Sequence, residues 1–194
     1  MWLLLTILCI TFSLLSRAQV VRVTVTELPP PGTVTSDTVY YANDRPLQWS
    51  DFTGHVRKQS NSAALSFSGF SYDASVSEKP DTIHVRLYLQ TYFVRSGSWV
   101  RPGEATPYAL SHEQIHFNIS RLAAVAFRNA VLRDTLTPGY YPVEIKMLFL
   151  DYWRKMGEMQ KAFDDETRHG TDRQAEALWQ EKITKKLLSD SDPG

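Results

Sequence analysis

The strongest constraint on the fold is a stretch in the second half of the chain that contains neither proline nor glycine. It follows Thr106-Pro107, which suits a helix N-cap and a first-turn proline, and it ends before Pro138. In this part of the chain the spacing of apolar residues changes from the alternation of strands to the period of a helix. We therefore predict one long helix over 107–134, followed by a break at Pro138-Gly139.

Two further helices are expected after this break. One should run from Pro142 to about Thr167, and a last amphipathic helix should start near Asp172. The first half of the chain favours strands, and the clearest of them is Ile83–Val94, which begins with a regular alternation of apolar and polar residues. The order of these elements predicts an α+β fold, in which a mainly antiparallel sheet precedes a long helical hairpin and a C-terminal helix.

The N-terminus has the composition of an export signal. Residues 2–15 are almost wholly apolar but too few to span a bilayer comfortably, and Ser16-Arg17-Ala18 matches a signal-peptidase cleavage site. We predict a signal peptide at 1–18 that is cut after Ala18, with an uncleaved anchor as the alternative. The protein would then be secreted or periplasmic in a bacterium, without stable membrane insertion after cleavage.

Length, charge and cysteine content narrow the chemistry further. The sequence suits a single domain over 19–188, with a frayed tail at 189–194. The formal net charge of +0 gives no support for nucleic-acid binding. Cys9 is the single cysteine and would leave with the signal peptide, so a metal site in the remaining chain has to use histidine and carboxylate ligands.

The predicted long helix carries a motif with a definite chemistry. From His112 to His116 the sequence is His-Glu-Gln-Ile-His, and residues four apart lie one turn above each other on the same helix face. Two imidazoles placed in this way can bind one Zn²⁺ ion, and Glu113 between them can act on a metal-bound water as general base. The motif therefore predicts His112 and His116 as metal ligands and Glu113 as the catalytic residue.

A catalytic zinc site needs a third protein ligand and one open position. His169 is the one histidine that follows the motif. An antiparallel pair of the two long helices would bring position 169 within one or two turns of His112, because the helices have similar lengths. We predict His169 as the third ligand, with Glu166 as the alternative. Asp165 or Glu166 could otherwise hydrogen-bond an imidazole and fix its orientation.

Three separated segments resemble, in combination, one bacterial protein family. They are Leu110–Phe117, then Asp164-x-x-Thr167-x-His169-Gly170 with Trp179 and Ile183 beyond it, and the upstream Leu47-x-Trp49-x-Asp51-Phe52-x-Gly54. The family is called domain of unknown function 922, and its members are described as predicted secreted zinc-dependent proteases. The resemblance implies a zincin-like fold, with Glu113 as catalytic acid and base and His169 as the matching third ligand.

The leading functional hypothesis is thus an exported zinc metallopeptidase acting on a peptide or protein substrate. An extended substrate could pair with an exposed sheet edge, for which Ile83–Val94 is the predicted strand. One alternative is a non-catalytic zinc-binding module of the cell envelope. Another is a di-metal carboxylate site, because Glu113-x-x-His116 and Glu166-x-x-His169 share the spacing of ferritin-like proteins.

Overall fold

The computed structural model describes residues 19–27, 36–57 and 62–190. The predicted signal peptide at 1–18 lies outside these residues, as do the last four positions of the predicted frayed tail. The final helix continues to Asp190, so the start of that predicted tail is helical.

The described part of the chain is an α+β structure, in which strands precede helices, and this confirms the predicted fold class. The strands are β1 (Val20–Thr26), β2 (Thr38–Tyr40), β3 (Ala64–Leu65), β4 (Ser68–Glu78), β5 (Thr82–Val94) and β6 (Trp99–Val100). The helices are α1 (Pro107–Arg133), α2 (Tyr141–Thr167) and α3 (Arg173–Asp190), and a 3₁₀ turn lies at Trp49–Asp51.

Strand β5 is the centre of the larger sheet. Strand β4 runs antiparallel along one side of it, from the pair Ser68 and Phe93 to the pair Glu78 and Ile83. On its other side, β1 pairs parallel with residues 82–88 and β2 pairs antiparallel with the last three residues. The sheet is therefore mixed, with one parallel pair among antiparallel ones.

The prediction that Ile83–Val94 provides an exposed edge is wrong, because this strand is paired on both sides. Alternation along β5 correctly identifies its buried face, on which Val85, Leu87 and Leu89 are at most 2% exposed. Alternation reports the two faces of a strand and says nothing about its two hydrogen-bonding sides. The second side of β5 is covered by β1 and β2, which are distant in sequence.

The three helices start within about two residues of the predicted positions, and the first two also end there. Thr106 caps α1 as expected: its side-chain oxygen accepts a hydrogen bond from the Ala109 N–H at 3.1 Å. Arg168, with φ of 50°, ends α2 in the left-handed conformation. Among the described residues, no helix has the length together with the apolar character needed to cross a bilayer.

Helix α1 packs against the sheet and against both of the other helices. Its buried side chains Ile115, Ile119 and Phe127 belong to one apolar cluster with Phe70 and the inner face of β5. Burying side chains of this size contributes about 1.5–3 kcal/mol each. The helix that carries the histidine motif is therefore anchored in the main apolar core.

Helix α2 returns antiparallel beside α1. In the loop that joins the two helices, the Thr137 N–H donates to Glu144. Toward the other end of the pair, the Gln160 side chain donates to the His116 carbonyl. The chain then turns back past the beginning of α1, where the Tyr108 hydroxyl donates to the Gly170 carbonyl at 2.8 Å. The segment around position 170 thus lies beside the motif, as the equal lengths of the two helices predict.

Candidate metal centre

The two histidines of the motif face α2 from one side of α1. Their ring centroids are 5.0 Å apart, one helical turn from each other. Phe163 of α2 is fully buried beneath them, stacked on the His112 ring at 4.5 Å and edge-on to His116 at 4.9 Å. The apolar ring closes the inner side of the pair and leaves the other side open to a cleft.

Asp164 of α2 brings a carboxylate oxygen to the same point. Its Oδ1 atom lies 3.4 Å from Nε2 of His112 and 3.1 Å from Nε2 of His116. The three ligand atoms are all within 4.8 Å of one another, so His112, His116 and Asp164 could together hold a metal ion. Two imidazoles and one carboxylate are a donor set that suits divalent metals.

The remaining nitrogen of each ring has a hydrogen-bond partner. Nδ1 of His112 lies 2.9 Å from Oε2 of Glu176 on α3, and an ionised carboxylate can only accept a hydrogen bond. Nδ1 of His116 meets Oε1 of Gln160, whose Nε2 donates to the His116 carbonyl at 2.9 Å. Each ring can donate from Nδ1 to these oxygens, while its Nε2 faces Oδ1 of Asp164. In a neutral ring with its proton on Nδ1, the Nε2 lone pair would be available to a metal ion.

The electrostatics of the group favour a cation. Burial disfavours the charged form of His112, but hydrogen bonds to Asp164 and Glu176 outweigh it and raise the pKa of His112 to about 9. The pKa of His116 is raised in the same way, by Asp164 and Glu113 against burial. Burial opposes ionisation of Asp164, yet its bonds to the two imidazoles hold its pKa well below the ordinary value. In the metal-free protein, protons on the two imidazoles offset the negative charge of the carboxylates. A bound divalent cation would take the place of these protons.

Glu113, the predicted general base, belongs to the same group of side chains. Its side chain lines the cleft beside the two histidines although the residue is only 5% exposed. Within the described part of the chain its Oε2 atom is buried and has no hydrogen-bond partner. A buried carboxylate oxygen normally has a partner, so Glu113 retains an acceptor position for a polar group that enters the site.

His169 lies at the edge of this group. Its Nδ1 is 3.7 Å from Oδ1 of Asp164, and its side chain is 70% exposed. The backbone at His169 is left-handed, with φ of 53°, and the residue lines the cleft. The structure therefore brings the predicted third ligand next to the site but places Asp164 between the two motif histidines. Ligation by His169 stays a prediction.

The other two acidic candidates have different partners. Oε2 of Glu166 accepts a hydrogen bond from the indole N–H of Trp179 at 2.7 Å, and Asp165 forms an ion pair with Lys161 on the surface. Neither carboxylate is part of the three-residue group. His55 and His84, which the sequence does not mark as ligands, are exposed in the β half of the chain.

Sequence reasoning missed three residues of the site. Asp164 stands in the same acidic run as Asp165 and Glu166, and its spacing of four from Gln160 could have placed both on the face turned toward α1. Glu176 had no local signal, because it reaches His112 from a third helix.

A cleft of about 480 Å³ opens over the candidate centre. Its floor consists of His112, Glu113 and His116, and one wall is formed by residues 62–66, which include β3. A volume of this size can hold one or two side chains of a peptide. Comparison with protein-family models, with curated proteins and with solved structures found no match to this chain.

Proposed function

We propose that this protein is an exported zinc metallopeptidase. The observation that carries the proposal is the convergence of two imidazole Nε2 atoms and the Asp164 carboxylate beside the unpaired Oε2 of Glu113. The resemblance to a family described as secreted zinc-dependent proteases supports the same activity. Export rests on the composition of residues 1–18.

The donor set supports Zn²⁺ as the metal. Zinc in catalytic sites takes three protein ligands from histidine and carboxylate and keeps one position open. His112, His116 and Asp164 provide these three ligands, and the cleft provides access to the fourth position. Gln160 and Glu176 supply the partners on Nδ1 that histidine ligands of metals usually have.

When bound, the zinc ion would polarise the scissile carbonyl and lower the pKa of a water molecule. The Glu113 carboxylate, whose Oε2 has no partner among the described residues, would accept a proton from a water molecule in the cleft. The same carboxyl then returns the proton to the leaving amine. Phe163 closes the inner side of the histidine pair against solvent, which strengthens the electrostatic interactions of the site.

We infer that a peptide substrate would bind in an extended form beside β3. In the described structure β3 pairs with β6 on one side, and residues 62–66 line the cleft above Glu113. An extended peptide added to the other side of β3 would gain main-chain hydrogen bonds and cross the zinc ligands. This assigns to β3 the role that the sequence suggested for β5.

Two variants test the activity. The purified protein loaded with Zn²⁺ is incubated with an unbiased peptide library, and new termini are identified by mass spectrometry. Glu113→Gln should abolish cleavage while zinc content stays at that of the wild type, because the amide cannot accept the proton. Glu181→Gln, the same change at an exposed site on α3, should leave cleavage unchanged.

Cleavage by Glu113→Gln at the wild-type rate would remove Glu113 as the base. A zinc-loaded wild type that cleaves no library peptide would favour the non-catalytic binding module instead. A metal content near two ions per chain would favour the di-metal alternative.

A further inference from the structure

We propose that Glu176, on the C-terminal helix α3, is a positioning residue that holds His112 in the form that binds a metal ion. The inference rests on the proposed metal site and extends it to a helix that supplies no ligand. Glu176 would act through His112 and would not touch the substrate.

The contact between Glu176 and His112 is buried and direct. Glu176 is 3% exposed, its Oε2 is 2.9 Å from Nδ1 of His112, and its Oε1 is buried without a partner in the described chain. Burying a carboxylate is costly unless it is paired. The contact with His112 therefore offsets the cost of burying the Glu176 carboxylate, and we infer that this contact serves the metal site.

The fold supports the position of Glu176 from both sides. Asp172 begins the helix, since its Oδ1 accepts the Ala175 N–H at 3.1 Å, and Glu176 lies in the first turn, where the helix dipole favours negative charge. Further along α3, Trp179 packs edge-on against Phe163 at 5.5 Å, and Ile183 is 1% exposed. These contacts fix α3 so that its first turn points at His112.

The two histidines differ in the charge of their partners. His112 has the carboxylate of Glu176, whereas His116 has the neutral amide of Gln160. A carboxylate on Nδ1 makes the imidazole a stronger donor to a metal, and outer groups of this kind typically contribute 10- to 100-fold in metal affinity. Replacing Glu176 by glutamine would give His112 the arrangement that His116 already has.

The experiment compares zinc affinity in four full-length proteins by competition with a chelator. These are the wild type, Glu176→Gln, Glu176→Ala and the exposed control Glu181→Gln. We expect Glu176→Ala to lose about 10- to 100-fold in zinc affinity, Glu176→Gln to lose less, and Glu181→Gln to match the wild type. In NMR spectra of the zinc-loaded protein, the slowly exchanging Nδ1–H signal of His112 should disappear in the alanine variant.

The outcomes separate this inference from the proposed function. Wild-type affinity and an unchanged Nδ1–H signal in both Glu176 variants would overturn the positioning role while the zinc site stands. A wild type that binds no zinc would overturn the proposed function and this inference with it. A purely structural role would lower the unfolding temperature of the metal-free protein without changing zinc affinity. If Glu176→Ala does not fold, the smaller loss expected in Glu176→Gln decides the question.

Discussion

Replacing Asp164 by asparagine tests the ligand set most directly. Oδ1 of Asp164 lies 3.1 Å and 3.4 Å from the two imidazole Nε2 atoms, so the substitution keeps the shape but replaces a charged donor at the centre of the group. Removing an outer hydrogen-bond partner of a ligand typically costs up to about 100-fold in affinity. Loss of a direct, charged ligand should exceed this, so we expect at least ~100-fold, or ~2.7 kcal/mol of zinc-binding free energy.

Competition with a chelator of known affinity measures this loss, and four variants make the comparison decisive. Asp165→Asn is the matched control, because Asp165 is adjacent in sequence but pairs with Lys161 on the surface. His169→Ala should have a smaller effect than Asp164→Asn but a larger one than Glu166→Gln, since Glu166 is engaged by Trp179. A small loss in Asp164→Asn together with a large loss in His169→Ala would refute the assignment of Asp164 and establish His169 as third ligand.

Three further predictions concern stability. Gly170→Ala should destabilise the protein by about 1–3 kcal/mol and weaken zinc binding, because φ is +80° and the new methyl would lie 3.1 Å from Nδ1 of His112. Gly157→Ala, which meets no atom within 4 Å on α2, should instead stabilise by about 0.5–1 kcal/mol in urea unfolding. Burial would raise the pKa of Asp51, but hydrogen bonds from Arg45 and the Gln48 N–H lower it below 3.8. The stability that ionised Asp51 contributes to the folded protein is therefore present above pH 3.8 and is lost as pH falls through the folded pKa. In Asp51→Asn the free energy of unfolding should fall less steeply on acidification than in the wild type. Equal slopes of the two proteins below pH 4 would contradict this.

Local sequence determined the helices and half of the site. Thr106, the absence of helix breakers up to Pro138 and the spacing of four between His112 and His116 all act within a few turns of one helix. They fix where α1 begins and which face carries the imidazoles without reference to the rest of the chain. The similar lengths of α1 and α2 also suffice to bring position 169 back beside the motif.

Tertiary structure decided which other groups join the two histidines. Three acidic residues follow one another at 164–166, and only the rotation of α2 against α1 turns Asp164 inward while Asp165 faces solvent. Glu176 reaches His112 because α3 packs across both helices, a contact separated by 64 positions in sequence. The central place of β5 likewise depends on its pairing with β1 and β2, which lie far from it in sequence. Periodicity gives each element a buried face, but the partner that covers it is chosen by long-range packing.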